Sequence, residues 1–593
     1  VKASGSLRLV GLWLILALFV PVTHAVGGEW FDPAVLHEVQ VRMPEADWAV
    51  LRKEAPDVLA QLGPQRTNGL SAKAYRRRAG EFTLDGVPWK ASIRKRGFIG
   101  SVSRERPSLN IEFPDLPDRR GPGGWRRITL ANTQQDASGM HLSLANAIFR
   151  EAGVAASRTA LARVSVNGEA LGVYTLVEPV DGDFLKQHFG REDGPLWEGA
   201  LTDLRPGWLA MFDAKRGTRE SDLESLRAVA IALADADAVD WEQIGRLVDL
   251  EQFLRFWVAE ILADHWDGYA NNQNNYFIHK RASDGRLVFI PWGADQCLGS
   301  PNPFTPRGAP VSVRATGLLA RRLYADPGWR ERYRDQLRMT LDAIWNEQRW
   351  LAEIDRLDGL ISTNGWSGIT GRKAVVQRTR EFFRKRRSVL LKDLGGPAPA
   401  WNVPERTNTL VRKWGHVSAD FETTFQMRLP VDWFTNGTVT LDLKLDGKPR
   451  PFTKAGISAS RGFDIRETNK IALNVLGMHG IAAFLVPSVQ VWKEEFVPGR
   501  TVKVDFFANQ GFFFEGMPAA AGGGAGLMSG TLRLDEAGIE EGSPEGASRG
   551  RHLAIAEVIP ECHSGSVGHP SRSLGPCQGP FGPMEACLSG YFR

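Results

Sequence analysis

Between Gln243 and Asp295 the chain passes from an apolar helical pattern to a loop crowded with asparagines, then a short hairpin, then an isolated acid. Apolar residues at Ile244, Leu247, Val248, Leu250, Phe253, Leu254, Trp257, Val258, Ile261 and Leu262 recur at steps of three and four. That spacing predicts a helix with one broad buried face. The pattern stops at Asp264, and Asp267-Gly268 follows, where glycine permits a turn of positive φ. Tyr276-Phe277-Ile278 and Leu287-Val288-Phe289-Ile290 read as two strands joined through Ser283-Asp284-Gly285. Pro291-Trp292-Gly293-Ala294-Asp295 closes the segment.

The chemistry follows from the order of these parts. Asp267 stands two residues after His265, Asn272 five residues after Asp267, and Asp295 beyond the hairpin. A phosphotransferase of protein-kinase type uses such an order. One carboxylate takes the proton of the attacking hydroxyl, an asparagine helps hold magnesium, and a second carboxylate binds the metal that bridges the phosphates. Magnesium needs only one or two protein carboxylates beside phosphate oxygens. A lone Asp-x-x-x-x-Asn match would mean little, because Asn and Asp populate turns for their own backbone bonding. The weight lies in the ordered set.

Further blocks upstream bring a resemblance into view. Ile93-Arg94-Lys95-Arg96-Gly97, Pro107 to Phe113, Ile128 to Asn132 with Asp136, and Asn167-Gly168 with Gly172 to Glu178 come in that order before Asp267, Asn275-Tyr276 and Pro291-Trp292-x-x-Asp295. Together they resemble the spore coat protein H (CotH) kinase family, from about residue 40 to 295 and weakly to about 394. The resemblance implies an α+β fold with an atypical, two-lobed protein-kinase-like domain. It implies ATP as donor, Mg2+ (or Mn2+) as metal, and protein Ser/Thr hydroxyls as acceptors. Asp267 carries over as the catalytic aspartate and Asp295 as a metal ligand. Family alignment favours Asn275 as the metal-holding asparagine, whereas kinase spacing favours Asn272. Arg96 and Arg106 are assigned to phosphate charge, and Glu178 is read as the partner of a phosphate-clamping base, with a solvated strand-end acid as its plain alternative.

The sequence departs from the family's pattern at three places. Arg106 stands where a lysine is frequent, Gly293 replaces the first acid of a P-W-D-x-D block, and Glu198 replaces a lysine. Arginine is not a neutral exchange for a lysine that pairs with a glutamate. These departures motivate a rival reading, a non-catalytic kinase-like scaffold whose C-terminal module binds a surface ligand. A glycoside hydrolase would need two carboxylates across a cleft, and Asp264 and Asp267 are too close in sequence to argue for it.

The rest of the chain sets the surroundings. Lys2 and Arg8 precede an apolar run from Leu9 to Val22, with small residues up to Ala25. That form predicts a signal peptide over residues 1–25 and a secreted, periplasmic or cell-surface protein with no membrane span after cleavage. A net charge of +5 over 593 residues, with basic clusters but no nucleic-acid motif, argues against a nucleic-acid partner. Cys297 reads as a buried thiol, and Cys562, Cys577 and Cys587 match no zinc spacing. The kinase-like domain is placed at 35–394. After Gly395-Gly396-Pro397, strand patterns predict an antiparallel β-sandwich over 400–517. Its ligand is a carbohydrate, a surface or a protein, with buried aromatics the plainer account of Trp401, Trp414, Trp433 and Trp492. Residues 518–593, rich in Gly, Ser and Pro, are predicted to be disordered.

Overall fold

The structure is a computed structural model that describes residues 30–560 apart from short interruptions, the longest at 364–370, 407–414, 427–433, 516–523 and 538–545. The fold is mixed α+β. The signal-peptide stretch and the three tail cysteines lie outside the described residues.

Seven strands form a closed barrel: β1 (Leu36–Arg42), β2 (Arg78–Leu84), β3 (Val87–Arg96), β4 (Ser108–Glu112), β5 (Arg127–Ala131), β6 (Thr159–Val166) and β7 (Glu169–Val177). Their order is β1-β2-β3-β4-β5-β7-β6, and β6 returns to pair in parallel with β1, Val39 facing Val164. Period-2 alternation explains the closure. Val39, Phe82, Ile93, Ile111, Ile128 and Val164 all turn inward to one buried cluster. Two hairpins have the sequences that their turns require. Asp85-Gly86 (φ 49° and 84°) joins β2 to β3, and Asn167-Gly168 (φ 51° and 87°) joins β6 to β7. Both central residues need positive φ, which Asn-Gly and Asp-Gly tolerate best.

A second sheet holds β8 (Leu196–Gly199), β9 (Asp213–Arg216), β10 (Tyr276–Lys280) and β11 (Leu287–Pro291) in the order β11-β10-β8-β9. Helices pack beside it around the helix Leu250–Ala263, whose residues are buried on nearly every side. Asp249 caps its N-terminus by accepting from the Gln252 amide. Trp257 on this helix stacks on Tyr333 of the helix Pro327–Ile344, with ring centroids 3.9 Å apart, and donates its indole N–H to the Arg314 carbonyl at 2.7 Å. Such an aromatic pair contributes about 0.5–1.5 kcal/mol beyond its buried area. This core is continuous with the helix His141–Glu151, so helices and barrel are joined through it.

The C-terminal strands, from Gly415–Gln426 to Gly546–Pro560, hydrogen-bond into one network around a separate apolar core that includes Val417, Leu443, Ile457, Val491 and Leu532. Two of these strands, Gly524–Leu534 and Gly546–Pro560, fall in the stretch read as a disordered tail, so disorder does not begin at residue 518. The reason is visible in the first of them. Met528, Leu532 and Leu534 lie on alternate positions and are all buried, a pattern that the surrounding glycines and alanines obscured. The two described tryptophans of this region are engaged in packing. Trp492 is buried, with Arg104 and Lys470 over its ring, Trp401 is packed against the helical core, and Trp414 and Trp433 lie outside the described residues.

Candidate active site

The helix Leu250–Ala263 ends where Asp264 enters the left-handed region (φ 50°). The chain then turns through His265, Trp266 and Asp267 into one short helical turn, Tyr269–Asn272. Glu260, on the helix's buried face, holds this loop from below. Its two carboxylate oxygens accept the backbone N–H groups of Tyr269 at 2.7 Å and Ala270 at 2.9 Å. Gly268 has to be small here, since a Cβ would sit 2.2 Å from a Glu260 oxygen. Burial pushes the Glu260 carboxyl up to about 8, against the pull of those two amides. Burial likewise lowers His265 to about 4, which keeps it neutral. Asp203 adds a further support: it accepts from the Tyr269 hydroxyl at 3.1 Å and the Gln273 amide at 2.6 Å.

Three asparagines converge on Asp267. Asn272 donates to Oδ1 at 2.6 Å, Asn274 to Oδ1 at 3.1 Å, and Asn275 to Oδ2 at 2.8 Å. Burial raises the Asp267 carboxyl and these donors oppose the rise. The two metal-holding candidates differ in what is left over. The side-chain oxygen of Asn272 accepts from Arg406 at 2.9 Å. That of Asn275 has no donor among the described residues and faces Gly293, where φ is 50° and a Cβ would come within 2.6 Å of it.

Asp295 follows β11 on the other side of the hairpin. Its carboxyl is raised to about 7, first by burial and then by the charge of Asp267. Asp295 makes no ion pair among the described residues. Its carbonyl oxygen is 3.1 Å from Nδ1 of His141, whose Nε2 lies 2.9 Å from the Thr379 hydroxyl. The Arg96 guanidinium lies 5.1 Å from the centre of the Trp292 ring and makes no side-chain hydrogen bond among the described residues. Burial depresses it, while the charges of Glu198 and Asp295 favour its cationic form.

The other two charged candidates are engaged elsewhere. Arg106 donates to the Leu171 and Val173 carbonyls at 2.8 and 3.0 Å and lies over Tyr174. It is a tie between the loop before β4 and strand β7. Glu178 accepts from the Arg158 amide at 2.9 Å and from its guanidinium at 3.2 Å. Neither residue meets Arg96 or Asp295. Glu198, where a lysine is frequent, is met by a lysine from the adjoining strand: Lys215 Nζ is 2.6 Å from Glu198 and 2.6 Å from Asp213. Cys297 is buried, its thiol 3.1 Å from the Ala294 carbonyl, and burial raises it well above its ordinary range.

Residues 93–390, about half of the chain, match the family described as CotH kinase protein. Among curated relatives, "Spore coat protein homolog 1" of Rhizopus delemar is 25% identical over 250 residues, covering 39% of this chain and 41% of that protein. "Inner spore coat protein H" of Bacillus subtilis is 25% identical over 263 residues, covering 42% of this chain and 71% of that protein. The match therefore spans about two fifths of the fungal relative's length. Among solved structures, the Helicobacter pylori proinflammatory kinase CtkA overlays 48% of this chain and 92% of its own at 10% identity, with a TM-score of 0.24. The family match begins in β3 and runs beyond the loop and the hairpin that carry Asp267 and Asp295, and on that extent the chain belongs to the CotH kinase family.

Proposed function

We propose that this chain is a secreted or surface-exposed protein kinase that moves the γ-phosphoryl group of ATP to Ser/Thr hydroxyls of protein substrates. The observation that carries the reading is the pair Asp267 and Asp295. They stand on either side of one β-hairpin, the charge of Asp267 raises the cost of ionising Asp295, and Asp295 has no ion-pair partner among the described residues. A carboxylate so buried and so near a second acid's charge is costly to ionise without a cation. Asp267, held by three amide donors, is the group that orients the acceptor hydroxyl and takes its proton.

The residues present fit a magnesium–nucleotide rather than a resident metal. No cluster of three or more acidic, histidine or cysteine side chains suited to a metal exists among the described residues. Asp295 and the undonated oxygen of Asn275 offer two hard oxygens, which is what Mg2+ takes from a protein when phosphates supply the others. The bound ion would neutralise phosphate charge. Arg96, with no hydrogen bond of its own, would meet a phosphate oxygen from the barrel side. The barrel and the helical region with its four-stranded sheet are the two lobes of this reading, and the C-terminal strands form a sandwich that binds a protein or surface partner. The names of the spore-coat relatives support an extracytoplasmic setting. No helix among the described residues is long and apolar enough to cross a membrane.

The test is transfer of label from γ-labelled ATP to the protein or to an extract, compared with Asp267→Ala. General-base loss of this kind costs about 10²–10⁴ in rate, with nucleotide binding retained. Equal transfer by wild type and variant would overturn the assignment.

A further inference from the structure

The segment after the Gly395-Gly396-Pro397 stretch does not leave the helical region at once. Three successive anchors hold it there. The Val403 carbonyl accepts from Arg321 at 2.5 Å. Glu405 pairs with Arg205 at 2.7 Å, with Arg322 at 3.5 Å and with Arg321 at 3.7 Å. Arg406 is 5% exposed and reaches the loop beside Asp267. Its guanidinium donates to both the backbone oxygen and the side-chain oxygen of Asn272, each at 2.9 Å.

The second of those bonds, with the one that Asn272 gives to Asp267, fixes how Asn272 is turned. A carboxamide has a donor end and an acceptor end. A guanidinium only donates, so the end facing Arg406 must be the oxygen. The end facing Asp267 is then the NH2, which makes the 2.6 Å bond to Oδ1. If Arg406 is absent, the Asn272 side chain is held at one end only, by its bond to the Asp267 carboxylate, which selects the NH2 but leaves the plane of the amide unfixed. Without that second tie the amide can swing, and the Asp267 carboxylate turns with the donor that it follows.

We propose that Arg406 is a positioning residue of the catalytic loop: by holding the oxygen of Asn272 it fixes the carboxylate plane of Asp267, and it makes the segment between the two modules part of the site. The consequence for rate rests on the phosphotransfer reading, whereas the positioning itself does not. The same geometry assigns Asn272 to Asp267 and leaves Asn275 as the asparagine whose oxygen is open to a metal.

The experiment uses the full chain in five forms: wild type, Arg406→Ala, Asn272→Ala, the double variant and the conservative Arg406→Lys. Two readouts are taken, γ-phosphoryl transfer and amide hydrogen exchange over residues 266–275. In Arg406→Ala, kcat falls about tenfold or more, as misplacement of a reacting group by about an ångström permits, while KM for ATP stays within about twofold. Exchange rises in 266–275 but not in the barrel strands. The double variant is no slower than Asn272→Ala, because both changes break one unit. Arg406→Lys recovers only part of the rate, since an ammonium group lacks the fork that spans two oxygens. Unchanged exchange in 266–275 for Arg406→Ala, or rate losses that multiply in the double variant, would overturn the proposal. If the wild type transfers no phosphate, the kinase reading falls, and the exchange result alone decides the positioning.

Discussion

The side-chain oxygen of Asn275 lies where a Cβ on Gly293 would approach to 2.6 Å. The family's block places an acid at that position, and here its absence gives the asparagine room. Gly293 also has φ of 50°, which a side chain adopts at a cost of about 1–2 kcal/mol. Gly293→Ala should therefore lower stability by that amount and weaken transfer more than stability alone explains, because Asn275 must move off Asp267. Urea titration beside a transfer assay at saturating ATP separates the two effects.

Asp295→Asn should act in opposite directions with and without ligand. The Asp295 carboxyl is raised from 3.8 to about 7, so the folded chain binds this proton more tightly than the unfolded chain does. The charged form works against folding, and its penalty grows as pH rises from about 4 to 7. In the absence of ligand, the variant should melt a few degrees higher than wild type at pH 8. Addition of Mg-ATP should then raise the wild-type melting point and leave the variant's unmoved. A variant that responds to Mg-ATP like wild type would remove Asp295 from the metal site.

Glu260 gives a second pH signature. Its carboxyl is raised from 4.5 to about 8 by burial, so its contribution to stability declines as pH climbs between those values. Glu260→Gln should flatten that slope. It should also lose one of the two loop bonds, because a carboxamide has a single acceptor oxygen for the amides of Tyr269 and Ala270. The cost is about 1 kcal/mol, read as a lower denaturation midpoint at pH 5, where wild-type Glu260 is neutral.

For Glu178 the structure favours a stability readout over a nucleotide readout. Its carboxylate is fully buried against Arg158. Glu178→Ala removes the acceptor of the Arg158 amide and guanidinium and should cost about 1–3 kcal/mol. Measured below the transition, KM for ATP should stay at its wild-type value. A large rise in KM with little loss of stability would return Glu178 to the phosphate site.

What could be read from sequence depended on distance along the chain. The helix, loop and hairpin around Asp267 are local, and their apolar periods and turn residues announced them. So did the Asp-Gly and Asn-Gly hairpins of the barrel. Glu260 left a signal that went unread, an acid on the buried face of an otherwise apolar helix among Trp257, Val258 and Ile261. Arg406 left none, for it meets Asn272 from 134 residues away. Arg106 and Glu178 were read by their place in family blocks. Strand register turned one toward β7 carbonyls and gave the other to Arg158. Lys215 was missed because only the pairing of β8 with β9 brings it to Glu198.

The barrel's closure sets a practical boundary. The family match begins at residue 93, part-way along β3, yet β1 and β2 complete the cylinder, with β1 sealing it against β6. A fragment trimmed to 93–390 would be a split shell. Two raw strand borders would invite neighbouring copies to stack on them, and inward-facing residues such as Ile111 and Val164 would meet solvent. It would also stop short of Arg406. Expression of this region should begin upstream of Leu36 and run past Arg406.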